Sequence, residues 1–213
     1  GEAPYGGSRY DRYFTTIRVL EYAFETVKHF GYQPSNEWES RPTRSRCMDY
    51  YYVGEYSHPS GYSLKQIEAI RDEMSEVSFN VNSPETHQLA LDAVEWAKNN
   101  DDEGNSYLHN LKVICSSEYC AAKNIGILIS LAQTYRKHLG AQEAKRERNE
   151  AWAKEVAESN FVGNEGDKIT FRTASLSCVY AREDMYGVTY MYKMIGEDGN
   201  VYMWSTGTVL QED

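Results

Sequence analysis

Apolar positions recur every three or four residues along most of the chain, and every second residue near its carboxy terminus. Over residues 12–30, Tyr13, Ile17, Leu20, Phe24 and Val27 fall on one stripe of a helix. Gly31 follows as the residue that ends it. Residues 32–61 lose this period. Pro34, Pro42 and Pro59, a set of arginines and the run Tyr50-Tyr51-Tyr52-Val53 predict a long connection holding one short strand at 49–54.

The helical period then returns. Ser63 with Gln66 three positions on is a capping box, and Leu64, Ile67, Ile70, Met74 and Val77 follow on one face. Ser83-Pro84-Glu85 supplies an N-cap, a first-turn proline and a first-turn acid for a third helix through Leu91, Val94 and Trp96, ending near Asn99-Asn100. An acidic turn, Asp101-Asp102-Glu103-Gly104, leads to a fourth helix carrying Tyr107, Leu108, Leu111 and Ile114. Ser117 reads as the cap of a fifth. That helix is apolar on most sides over 125–131, which predicts that it runs through the middle of the body. Residues 141–158 are charged and alanine-rich, as expected of a solvated helical extension.

Past Asn160 the period becomes two. Ile169 and Phe171 alternate on one face and Leu176, Cys178 and Tyr180 on the opposite parity, which requires a bulge near Thr173 and Ala174. Tyr186-Gly187 marks a turn. Residues 188–195 and 201–206 are two further strands, joined through Gly196-Glu197-Asp198-Gly199-Asn200 as a tight hairpin. The expected architecture is α+β. It comprises a mostly helical body over 1–140 with the loop at 32–61, a charged helical linker at 141–160, and a three-stranded antiparallel β-meander at 161–213.

Composition narrows the function classes. No run of eighteen apolar residues and no basic-then-apolar leader is present, so no membrane partner is expected. Four cysteines, at 47, 115, 120 and 178, do not form the dense framework of small secreted domains, which favours a reducing cytoplasm. Cys115 and Cys120 have zinc-like spacing but lack two further nearby ligands, so structural thiols are expected. The net charge is −10, and residues 61–110 hold ten acids against three bases. A general polyanion binder is thereby disfavoured, because non-specific nucleic-acid affinity comes from lysine and arginine displacing counterions. Any such binding must be local.

Several segments from Tyr107 onward carry a family resemblance: Tyr107-Leu108-His109-Asn110-Leu111, Lys123-Asn124-Ile125-Gly126-Ile127-Leu128-Ile129-Ser130, Phe161-Val162-Gly163-Asn164-Glu165-Gly166, Tyr186-Gly187-Val188-Thr189-Tyr190 and Asp198-Gly199-Asn200-Val201-Tyr202-Met203-Trp204. In these, about half of the chain resembles a group of tailed-bacteriophage and prophage proteins with no established activity. The resemblance implies a mobile-element origin, an intracellular role around nucleic acid, and a carboxy-terminal module similar to part of an OB fold. A complete OB barrel has five strands, and three are expected here. Either the remaining strands lie beyond Asp213, or a partner, a second copy or the amino-terminal half covers the sheet edges.

Two segments carry candidate nucleic-acid chemistry. In the meander, Tyr180, Tyr190, Tyr192, Tyr202 and Trp204 suit base stacking, with Arg172, Arg182 and Lys193 to hold phosphates. The competing reading packs the same aromatics as the core face of the sheet. In the loop, Arg41, Arg44 and Arg46 precede three tyrosines, a pattern that suits phosphate contact and stacking. Glu68, Asp72, Glu73 and Glu76 instead suit docking into a basic groove of a host or phage protein. No phosphate loop, His-Glu-x-x-His or Gly-x-Ser-x-Gly segment occurs, and no cofactor is expected. The leading expectation is a non-catalytic, phage-derived, cytoplasmic protein that binds single-stranded nucleic acid. An acidic modulator of host machinery is the alternative.

Overall fold

Nine consecutive residues of one helix, Val19 through Val27, are buried, so this helix meets protein on every side. A computed structural model of the chain describes residues 13–36, 40–100, 104–160, 162–170, 172–185 and 187–210. Among them the order is β1 (Tyr13–Thr15), α1 (Thr16–Phe30), α2 (Thr43–Glu55), α3 (Leu64–Glu76), α4 (Pro84–Asn99), α5 (Ser106–Cys115), β2 (Tyr119–Ala121), a 3-10 turn (Ala122–Asn124), α6 (Ile125–Glu158), β3 (Thr173–Asp184), β4 (Gly187–Gly196) and β5 (Val201–Thr206). This is an α+β fold with helices first and an antiparallel sheet last. The chain divides into two compact units, Gly1–Gly140 and Ala141–Asp213, with the boundary inside α6.

In the first unit α1 packs against α2 and α4, and α4 against α5. The first part of α6 adds Ile125, Leu128, Ile129, Leu131, Ala132 and Tyr135 to the core. Core position is therefore shared between α6, as expected, and α1, for which a single apolar stripe had been expected. The difference is that Glu21 and Glu25 are buried among the apolar residues of α1, with hydrogen-bond partners that make their burial tolerable. Gly31 ends α1 at φ 69°, and its N–H donates to the Val27 carbonyl at 3.0 Å. On α4, Leu91 is exposed, and Ala90, Ala93, Val94 and Ala97 are buried.

Three sequence expectations are corrected in this unit. The connection at 32–61 contains α2, and its 49–54 segment is helical. Proline is well suited to a helix start, and Pro42 occupies the N-cap position of α2. Cys47, Tyr50, Tyr51 and Val53 are buried, so tertiary packing overrides the strand preference of the tyrosine run. Tyr13 lies in β1, which pairs antiparallel with β2 through Phe14 and Cys120. Finally, Ser117 caps no helix. Its hydroxyl accepts from the Tyr119 N–H at 3.3 Å, and the long helix starts only at Ile125. The capping box expected at Ser63 and the N-cap expected at Ser83 are present. The acidic turn at 101–103 lies outside the described residues.

The second unit holds the end of α6 and the sheet β3-β4-β5, which is open and does not close into a barrel. The strand expected around Ile169 starts instead at Thr173, while Phe171 lies outside the described residues. The register shifts between Thr173 and Ser175, where the bulge was expected, and again between Cys178 and Tyr180. The second shift inserts Val179. In the hairpin, Gly199 takes φ 78° and donates its N–H to the Gly196 carbonyl at 3.0 Å.

Candidate nucleic-acid interface

Residues directly opposite each other in an antiparallel ladder share a face. Tyr192 lies opposite Trp204, Met194 opposite Tyr202, and Tyr190 opposite Thr206. Tyr190, Tyr192, Tyr202 and Trp204 therefore stand on one face of the sheet. Trp204 is 55% exposed and Tyr192 only 3%. The Tyr192 hydroxyl oxygen accepts from the Leu210 N–H at 2.8 Å, so the residues after β5 pass over it. Its ring lies 6.3 Å from that of Tyr190. Tyr190 and Tyr202 are half-buried.

Tyr202 donates to Asp198 Oδ2 at 2.7 Å. That bond raises the pKa of the phenol, and the bonds to Asp198 from Asn200 and Tyr202 hold its carboxyl below the usual range. The accessible aromatic surface is thus Trp204, with the half-buried rings of Tyr190 and Tyr202 beside it. Tyr192 is a core residue, as the competing reading expected. Tyr186 lies outside the described residues.

The register moves the other meander candidates off this face. Tyr180 pairs with Met191 and Arg182 with Thr189, so the Val179 insertion places both on the opposite side. Lys193 also lies there. Its ammonium forms an ion pair with Glu155 of α6 and stands 5.2 Å from the centroid of the Trp152 ring. It anchors the end of α6 to the sheet and is not a free phosphate contact. The Ser159 hydroxyl accepts from the Val201 N–H at 3.0 Å, and the Asn160 N–H donates to Asn200 Oδ1 at 2.7 Å. Arg172 is exposed just before β3, and its carbonyl accepts from the Glu197 N–H at 2.9 Å. Among the described residues, no lysine or arginine of the three strands faces the aromatic side.

The arginine cluster is only partly available. Arg41 is paired with Asp49 at 2.5 Å and Glu73 at 2.9 Å, and Arg46 with Glu73 at 3.4 Å while stacked over Phe30 at 4.0 Å. Arg44 is exposed and has no ion-pair partner among the described residues. Tyr50 and Tyr51, expected to interleave with the arginines, are buried in the core, and Tyr52 alone is half-buried. On α3, Glu68, Asp72 and Glu76 form an exposed stripe at four-residue spacing. Glu73, expected with them, turns toward Arg41 and Arg46 instead.

One feature of the body had no counterpart in the sequence reading. The carboxylate of Glu25 is 1% exposed and accepts from the Thr86 hydroxyl at 2.7 Å, Lys28 at 3.0 Å and the Asn80 N–H at 3.3 Å, with His29 at 3.2 Å. Burial raises its pKa, but the hydrogen bonds from Thr86, Lys28 and Asn80 outweigh it, so the group titrates below the usual range. One turn earlier, Glu21 meets Arg18 at 2.7 Å and His87 Nδ1 at 2.6 Å. Acids four residues apart inside an apolar helix are the available sequence signal. These contacts join α1 to α4 and to the residues before it.

Fold and surface together define an α+β protein with a helical body and an open sheet that displays aromatic side chains. Compared with known proteins, the chain matches no family model, no curated protein and no solved structure. Among the described residues, no helix is long and apolar enough to cross a membrane, and no group of three or more His, Cys, Asp or Glu side chains is placed to hold a metal ion.

Proposed function

We propose that this is a phage-derived, cytoplasmic accessory protein that binds single-stranded nucleic acid without catalysing a reaction on it. The observation that carries the reading is the exposed Trp204, which shares a sheet face with Tyr190 and Tyr202. Every base has a π-face, so such a platform stacks single strands without reading sequence, at about 1–3 kcal/mol per base. The same face carries no lysine or arginine from the described strands, so stacking dominates and phosphate contact contributes little.

Fluorescence anisotropy with short labelled single-stranded and duplex DNA tests this. Single strands bind better than duplex, and Trp204→Ala weakens binding about tenfold, the equivalent of about 1.4 kcal/mol. With two or fewer phosphates neutralised, the logarithmic salt slope is no steeper than about −1.4. Absence of binding at low salt, or binding indifferent to Trp204→Ala and Tyr202→Ala together, overturns the reading.

A second reading rests on the exposed stripe of Glu68, Asp72 and Glu76, which suits docking against a basic protein surface. Recovery of a basic nucleic-acid enzyme from host lysate supports it if reversing the three acids to lysine abolishes that recovery. Recovery unchanged by the reversal refutes it.

A further inference from the structure

We infer that the helical body contains a separate binding site for a nucleoside monophosphate, in the groove beside Arg44. This groove has a volume of about 340 Å³, within the range of small-ligand pockets, and opens between Phe14, α2, Tyr62 and the start of α6. Its walls are aromatic. Tyr52 stands with its ring centroid 6.0 Å from that of Phe14 and 6.2 Å from that of Tyr62, and Met48 and Ile125 add apolar surface. Such walls accept a planar ring by stacking or edge contact.

Charge selects the rest of the ligand. Asp49 and Arg44 are the charged side chains lining this groove. The acid is already engaged, by Arg41 at 2.5 Å and by a short hydrogen bond from the Tyr62 hydroxyl. Arg44 is left as the uncompensated cation. It lies over the first turn of α6, its Cδ 3.4 Å from where a Cβ on Gly126 would stand, so the glycine makes room for the arginine stem. A guanidinium with free N–H groups recognises a phosphate monoester through paired hydrogen bonds. A base-sized ring against Tyr52 and Tyr62 with a phosphate on Arg44 satisfies both halves of the groove. This site shares no residue with the aromatic face of the sheet and stands or falls separately from it.

Isothermal titration calorimetry on the full chain tests the proposal with AMP, UMP, adenosine and inorganic phosphate as probes. At least one monophosphate saturates with a stoichiometry of one, and adenosine binds about tenfold or more weakly than AMP because it lacks the charge-assisted contact. Arg44→Gln, an exposed change that does not threaten folding, lowers AMP affinity to that of adenosine. Ser45→Trp, placed in the mouth from another exposed position, removes binding of both. Trp204→Ala leaves AMP binding unchanged. No saturation by either monophosphate at millimolar concentration, equal affinity for AMP and adenosine, or indifference to Arg44→Gln overturns the proposal. Loss of AMP binding in Trp204→Ala also overturns it, by assigning the ligand to the sheet.

Discussion

Replacing Glu25 with Gln tests whether the helical body depends on a buried, ionised carboxylate. The two oxygens of Glu25 divide their donors: Oε1 accepts from Thr86 and Lys28, and Oε2 from the Asn80 N–H and His29. An amide keeps one acceptor and turns the other position into a donor. With its NH2 at the Oε1 position it removes the acceptor of the buried Thr86 hydroxyl, and at the Oε2 position the acceptor of the Asn80 N–H. Losing a hydrogen bond to a charged group in this way costs about 1.5–3 kcal/mol. The lost attraction to Lys28 adds little, because that side chain is 55% exposed and its charge is hydrated.

Glu25→Gln is therefore expected to destabilise the body by about 2 kcal/mol near neutral pH, read from urea unfolding by helical circular dichroism. The sign of the pH dependence follows from the lowered native pKa of Glu25. The carboxylate contributes its full stabilisation above the unfolded-state value of about 4.3, and loses it as pH falls through the lower native value. The gap between wild type and Glu25→Gln should close over that acid window. Equal stability at neutral pH, or a gap that persists undiminished into acid, would refute the reasoning.

Three other outcomes are expected. Gly54→Ala places a Cβ on the Tyr22 hydroxyl and within 3.2 Å of its buried ring, so stability falls by about 1–3 kcal/mol in the same urea assay. Ser63→Ala removes the side-chain half of the capping box, the bond its hydroxyl accepts from the Gln66 N–H, and keeps the backbone half from the Ser63 N–H to Gln66 Oε1; it costs about 1 kcal/mol, with faster amide exchange confined to the first turn of α3. Burial pushes the thiols of Cys115 and Cys120 up to about 12 and about 11 and that of Cys47 higher still, whereas Cys178 is exposed. A disulfide reagent at pH 8 should therefore label Cys178 rapidly and the other three only after denaturation, and fast native labelling of all four would contradict this burial.

Where local chemistry and tertiary packing agreed, the elements were legible. Ser63 with Gln66 and Ser83 with Pro84 marked helix starts because their hydrogen bonds close within three residues and need no distant partner. The hairpin through Asp198-Gly199 was legible for the same reason. By contrast, Tyr50-Tyr51-Tyr52-Val53 has the composition of a strand and folds as a helix, because burial against α1 outweighs a weak local preference.

The candidate surfaces divide in the same way. The alternation Tyr190, Tyr192 and Tyr202, Trp204 was readable as two faces of two strands, since side chains in a strand alternate by geometry alone. Which aromatics stay accessible was not readable. The single inserted Val179 moved Tyr180 and Arg182 to the other side, Leu210 covered Tyr192, and Glu155 claimed Lys193. Likewise three arginines at 41, 44 and 46 look equivalent in the chain, yet Asp49 and Glu73 neutralise two of them and leave Arg44 open.

By itself, then, the sequence determined the α+β class, the caps at Ser63 and Ser83 and the parity of the last two strands, all of which rest on interactions a few residues long. Only the tertiary structure decided which side chains are free to meet a ligand. That depends on partners as far apart as Glu25 and Thr86 or Glu155 and Lys193, whose pairing no local period records.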